Sequence, residues 1–479
     1  MKHTKALLVT TIVAALAALG LPGGSAQAGN LSSYDGASWY GKYLSVSGGT
    51  SAVCSGNAGS TGQLAYGSNV DASHECGSQS ETFIATNSSG SVVIAGSNEI
   101  QRLPMRAIAS TDGGRTFTGT DLPLPPPITN GGFDFGSDPT IAFDSRGNVY
   151  YGYIVVFFSA GGAINGTEMA VARSSNSGKT WSSTYFAPQT GSGQFDDKPM
   201  ITVDTSAAHR NRVYLAWDHA TGNSSSDQNG NDVVLSSSDD GGLSFSSPVA
   251  VSGDFIGRTG GIGADPYVTA TGVLHVAWQD YAHGAIVDVS SSDGGATFSG
   301  RHTVAKVNAF DFAVAAQASR GALVYPSCAS YTFTLLCGYT NGSSASTSVY
   351  VAVSTDGGVT WSSTPVPAGG DQFNQWLAVD QSTGALDVSY YDTGTHGATA
   401  TRYTLARGKV GGRLTAAPVA TAPSDESCCS PSVDAGNQYG DYEGLAAGNG
   451  VVHPVWTDRR QAVSDLGLRE EVFTATLAS

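Results

Sequence analysis

Short runs of alternating or wholly apolar residues recur along this 479-residue chain, separated by clusters of Gly, Ser, Asp and Thr. Runs such as Met169 to Arg173 (MAVAR) and Val349 to Val353 (VYVAV) have the period of two that marks a strand with one face on a core. Such runs lead into one recurring octet. Ser110 opens STDGGRTF, Ser174 SSNSGKTW, Ser238 SDDGGLSF, Ser291 SSDGGATF and Ser354 STDGGVTW. The octet has turn chemistry: an Asp or Asn side chain to accept backbone N–H groups, a Gly free to take positive φ, a hydroxyl, and an aromatic to fold over the turn. Another extended stretch follows, such as SSPVAVS, so each octet reads as a hairpin tip.

The octet starts at 110, 174, 238, 291 and 354 are 53 to 64 residues apart, the length of one four-stranded propeller blade. A second unit precedes each octet: a strand, a turn, then a strand ending in an aromatic and polar groups. It reads SDPTIAFDSRGNVYYGY, DDKPMITVDTSAAHRNRVYLAWDH and ADPYVTATGVLHVAWQDY in the second to fourth copies. It survives without an octet in QWLAVDQSTGALDVSYYD and GDYEGLAAGNGVVHPVWTDRR; ARGKVGGRL resembles a degenerate octet. With ETFIATNSSGSVVIAGSNE and ALVYPSCASYTFTLLCGYT the count is seven. The expected fold is all-β, a single β-propeller of seven four-stranded blades, with six blades and one inserted hairpin as the alternative. An N-terminal strand should close the ring and remove its open edge, with Gly41 to Ser47 (GKYLSVS) as the candidate. The expected division is a signal segment over 1–28, an N-terminal arm with the closing strand over 29–80, and the propeller over 81–479.

The octet, S-x-D-x-G-x-T-W in outline, resembles the Asp-box or BNR repeat of sialidases and related secreted propellers. The resemblance implies that Asp112, Asn176, Asp240, Asp293 and Asp356 are structural. It places their turns between the third and fourth strands of a blade, away from an active site.

Composition narrows the partners. MKHTK followed by ALLVTTIVAALAALGL and AQA is the pattern of a cleaved export signal, so a secreted, extracellular protein is expected. The formal charge of -16 becomes -18 without Lys2 and Lys5. That disfavours nucleic acid, and membrane insertion is not expected. A carbohydrate or glycoconjugate is the expected partner, bound by a monomer. Six cysteines in an exported chain read as disulfides. Cys54 with Cys76, Cys328 with Cys337 and a vicinal Cys428–Cys429 bond form one scheme, and a staple of the first pair onto Cys428 and Cys429 is the other.

Propeller geometry sorts the polar residues. The loops entering each innermost strand and leaving the second open on one face, opposite the octets. That gathers Asp138, Asp197, Asp265 and Asp441 in one ring. A second ring holds Asn98, Glu99, Asp218, His219, Asp280, Tyr281, Asp392, Asp458, Arg459 and Arg460, with Arg258 at the same mouth. A repeated Asp is ordinarily a loop cap, and the aromatics of AW and VW strands are ordinarily core. Residues that break the repeat are the better candidates. Asp441, Tyr442, Glu443, Asp280 and Asp218 are therefore the catalytic candidates. Arg258, Arg459, Arg460, His219, Asp265, Tyr281 and Trp376 are the candidates for holding a sugar.

Carboxylates, Tyr and Arg at a funnel suit glycoside hydrolysis, in which one carboxylic acid protonates the leaving oxygen and a second group is nucleophile or base. They also suit uronate lyase chemistry, in which Arg or a metal neutralises a carboxylate and Tyr or His removes a proton. Binding without turnover is the third possibility. The resemblance to sialidases favours an exo-acting hydrolase, although the RLP at 102–104 lies just ahead of the octet strand and not on the first inner strand. No cofactor is expected, beyond room for a structural calcium ion; whether a metal is bound the sequence leaves open.

Overall fold

A computed structural model describes residues 69–73, 78–99, 103–125, 133–158, 164–190, 196–220, 231–252, 261–309, 311–343, 345–367, 369–427, 438–460 and 470–478. It is a ring of seven four-stranded antiparallel blades. The innermost strands of blades 1 to 6 are Gln79–Thr86, Phe133–Phe143, Asp197–Val203, Gly261–Val268, Ser327–Tyr331 and Gln372–Asp380. Each blade then runs outward in chain order. Blade 7 starts at Leu445–Gly448, continues through Val451–Asp458 and Glu471–Ala475, and takes its fourth strand from Asn69–Asp71.

The ring is thus closed by an N-terminal strand, but a later one than Gly41 to Ser47, which lie outside the described residues. Asn69 explains the choice. Its amide donates to the Val419 carbonyl of blade 6, and its oxygen accepts from Arg460 and from Thr421. No described helix is long and apolar enough to cross a membrane.

The octets fasten blades to one another. In the first, both Asp112 oxygens are used: the Arg115 and Thr116 amides donate to one and the Thr116 hydroxyl to the other, while the Gly114 amide donates to Ser110 Oγ. The same pattern recurs around Asn176, Asp240, Asp293 and Asp356. The second glycine position of each octet (Gly114, Gly178, Gly242, Gly295, Gly358) has φ between +81° and +90°. A Cβ there would lie 2.8 to 3.2 Å from the preceding blade: from Thr476 of blade 7, Ile94, Tyr150, Leu235 and Asp288 in turn. Glycine is required at these positions by backbone conformation and by the close approach of the next sheet. Trp181 and Trp361 fold over their turns, each indole N–H donating to the carbonyl of that glycine.

The tryptophans Trp217, Trp278 and Trp456 are fully buried between blades, as expected for AW and VW strands. Cys328 and Cys337 face each other across neighbouring strands of blade 5 and are bonded. Cys54, Cys76, Cys428 and Cys429 lie outside the described residues.

The seam between blades 7 and 1 holds a titratable group. His453 is 1% exposed and contacts Thr476 Oγ1 beside the first octet. Burial pushes its imidazole down to about 4. The unfolded chain therefore binds a proton here that the folded one refuses between about pH 6.5 and 4. Stability should fall as pH drops through that window, by up to about 3 kcal/mol from this residue. Chemical denaturation of wild type and His453→Gln at pH 7 and pH 4.5 checks this, the variant losing less stability on acidification.

Candidate functional site

Five innermost strands carry a bulge at the same place, where the ladder skips between Ser80 and Phe83, Ser137 and Thr140, Asp197 and Met200, Ile262 and Asp265, and Phe373 and Trp376. Inside each skip sits a residue of positive φ: Glu81, Asp138, Lys198, Gly263 and Asn374, at +48° to +69°. A bulge re-aims a side chain, and a strained conformation persists only where its surroundings hold it. Here Glu81, Asp138 and Lys198 meet. In blade 4 the glycine leaves the space to the Tyr325 ring, which a Cβ on Gly263 would approach to 2.2 Å.

Lys198 is the centre. Its ammonium lies 2.8 Å from Asp441, 3.3 Å from Asp138 and 3.5 Å from Glu81, with the rings of Tyr442 and Tyr325 at 5.3 and 5.9 Å. Since one nitrogen is within 3.5 Å of all three carboxylates, no two of the contacting oxygens are more than about 7 Å apart, twice that reach. Arg320 comes from the segment between blades 4 and 5. It is bidentate on Asp441 and reaches Glu81 at 3.3 Å. The Asn98 amide bridges Glu81 and Asp138 at 2.7 and 3.1 Å. All these charged groups are at least nine-tenths buried.

Their protonation differs. Burial would neutralise Lys198, but Asp138, Asp441, Glu81 and Asp197 together outweigh it and hold the ammonium charged. Burial pushes Glu81 and Asp197 well above the usual carboxyl range, only partly offset by Lys198. Asp441 is also penalised by burial, yet Arg320 and Lys198 hold it below its ordinary value, and Lys198 with neighbouring hydrogen-bond donors does the same for Asp138. Asp138 and Asp441 are thus the carboxyls biased towards ionisation by the two cations, while burial biases Glu81 and Asp197 towards their neutral forms.

Of the residues singled out from sequence, Asp138, Asp197, Asp441, Tyr442 and Asn98 come together here. Asp218 sits beside them, opposite Asp197 on the neighbouring strand, and burial raises it. Tyr281 is also close enough to Asp218 and Asp441 for their charges to raise its hydroxyl further, after burial. The others lie apart. Asp265 is two positions past its bulge and accepts the Cys328 amide of blade 5, an inter-blade link. Glu443 is wedged between blades, accepting from Thr82 and Tyr391, with burial pushing it up to about 8. Trp376 packs edge-on against Phe83 of blade 1 in the core. Asp280 caps its own loop through the His283 amide and ring, and Asp392 accepts the Gly369 and Gly394 amides. His219 is held by Asp196, at 3.1 Å. Arg460 is tied to Asp458, Asn69 and Thr421 and lies over Phe473, so it fastens the closing strand. Arg459 is 6% exposed, with its amide on Ser424. Arg258 lies outside the described residues. Among those described, no group of three or more His, Cys, Asp or Glu is arranged to hold a metal ion.

Glu81, Lys198, Arg320, Tyr325 and Asn374 were not singled out from sequence. Matching the repeats on their Asp residues pairs Asp197 with Asp138; matching them on Pro139 and Pro199 pairs Lys198 with Asp138, which is the observed register. Arg320 belongs to no repeat and gives no such signal.

No protein-family model and no curated protein matches the chain. Solved structures resemble it. The leech intramolecular trans-sialidase is 14% identical at a TM-score of 0.48, covering 70% of this chain and 68% of its own. That of Ruminococcus gnavus is 13% identical at 0.47, over 71% of this chain and 95% of its own. The α-L-arabinanase of Penicillium chrysogenum is 14% identical at 0.44, over 72% and 93%.

Removing the central cation should leave buried carboxylates without compensation. Lys198→Met should cost roughly 3–5 kcal/mol in denaturant unfolding at pH 7. Glu81→Gln should cost about 1 kcal/mol or less, since burial already biases that group towards its neutral form. Equal costs would contradict the assigned protonation.

Proposed function

We propose that this is a secreted, carbohydrate-acting propeller whose reaction centre is the axial cluster, and that its reaction is glycoside hydrolysis. One observation carries the reading: carboxyl groups within about 7 Å of each other are shifted in opposite directions by their surroundings, Glu81 up by burial and Asp441 down by Arg320 and Lys198. Such a split favours an acid and a base at one pH, the division of roles found in the paired carboxyls of glycosidases. Glu81 gives its proton to the glycosidic oxygen as the bond to the anomeric carbon breaks. Asp441, kept ionised by Arg320 and Lys198, stabilises the positive charge that develops there. Water then adds to the anomeric carbon and its proton returns to the carboxylate of Glu81. The octets, through their resemblance to those of secreted sialidase-type propellers, the export-type segment over 1–28 and the Cys328–Cys337 bond support the extracellular setting.

A second reading, a glycan-binding propeller without turnover, is favoured by the burial of every charged member of the cluster. A panel of aryl sialosides, aryl arabinofuranosides and acidic polysaccharides separates the two, with reducing ends and ultraviolet absorbance both followed. Release of reducing ends that drops about 100-fold or more in Glu81→Gln supports the acid role. Absorbance rising with the new ends indicates elimination and sinks hydrolysis. Saturable binding of any of these sugars with no product establishes the binder.

A further inference from the structure

The segment over 311–323 belongs to none of the seven blades. Its base is a short hairpin, Asp311–Phe312 paired with Ala322–Leu323, with Phe312, Val314, Ala316 and Ala322 buried in the core. Its tip is held differently. Over 317–321 the contacts to the rest of the ring are polar. The Ser319 and Arg320 amides share Gln438 Oε1, the Gln317 amide donates to the Gly440 carbonyl, and Arg320 pairs with Asp441 and Glu81. Behind it, Glu81, Asp138, Lys198 and Asp441 are at most 3% exposed, so no sugar reaches them in this conformation.

The closed contact is also incompletely satisfied. The side-chain amides of Gln317 and Asn374 both donate to the Gly440 carbonyl, that of Gln317 also to the Gly321 carbonyl, and among the described residues the buried oxygens of both amides have no donor. Buried acceptors without donors favour any state that supplies donors, whether water or sugar hydroxyls. The tip ends at Gly321, whose φ of +77° no other residue type adopts readily.

We propose that the 317–321 tip is a gate over the axial cluster, latched by Arg320 and swung about the anchored base to admit a ligand rich in hydroxyl groups. This rests on reading the cluster as the place a sugar reaches, but the test needs no sugar. In the closed state both Arg320 and Lys198 hold Asp441 ionised; in the open state water or the ligand takes the place of Arg320, Lys198 stays on Asp441, and Gln317 and Asn374 gain donors.

Native-state hydrogen exchange of the full chain decides the matter. The Ser319, Arg320 and Gly321 amides should exchange at least 100-fold faster than those of Leu336 to Tyr339 in blade 5, and independently of denaturant at low concentration. Arg320→Ala should speed the tip a further tenfold or more and leave the blade 5 amides unchanged. Tip amides that exchange only with global unfolding overturn the gate, and so does a tip unaffected by Arg320→Ala in a folded variant. Should that variant not fold, the wild-type comparison alone still decides. Because these readouts use no substrate, a gate that opens in a protein without turnover would separate this inference from the hydrolase reading.

Discussion

Seven sheets that converge on one axis bring innermost side chains together, and in this chain the charged ones are mostly acids. The Lys198 ammonium makes the convergence tolerable. A charge taken out of water costs several kcal/mol unless it is paired and hydrogen-bonded. Lys198 pairs with Asp138 and Asp441, burial biases Glu81 and Asp197 towards their neutral forms, and Arg320 completes the balance. The strained backbone at Glu81, Asp138, Lys198 and Asn374 follows from the same need, because only a bulged inner strand turns these side chains into the channel.

The molecule divides its work between its two ends. At one end the octets lock each turn with its own Asp or Asn and press a glycine against the neighbouring sheet. At the other end the inner strands begin and the second strands finish, and there repetition stops. Glu81, Asp138, Lys198, Gly263 and Asn374 occupy equivalent places with different chemistry. A repeat fold permits this because the bulge position contributes little to packing within its own sheet. Its side chain answers to its counterparts in the other blades.

The closing seam is where the two requirements meet. Asn69–Asp71 completes blade 7, and Arg460, which from sequence resembles a substrate clamp, instead holds that strand through Asn69. His453, neutral and buried under the first octet, belongs to the same seam.

The sequence by itself determined the architecture: five octets in register, seven inner-strand units, turn residues where turns occur, and buried tryptophans in AW and VW strands. These are local patterns, and hairpins form from local patterns. It also supplied Asp138 and Asp197 as members of a repeated ring, and Asp441 and Tyr442 because departures from a repeat are visible in one dimension. Only the tertiary structure decided which of the polar residues share a space. A one-residue choice of register, Asp197 or Lys198 opposite Asp138, turns a side chain into the channel or away from it, and the bulge that makes the choice leaves no mark in composition. Arg320 lies 121 residues from its partner Asp441 and outside every repeat, so only the closed ring brings them together. The protonation of the cluster is likewise a property of the assembled axis, since burial and neighbouring charge set it and both exist only once the seven sheets have met.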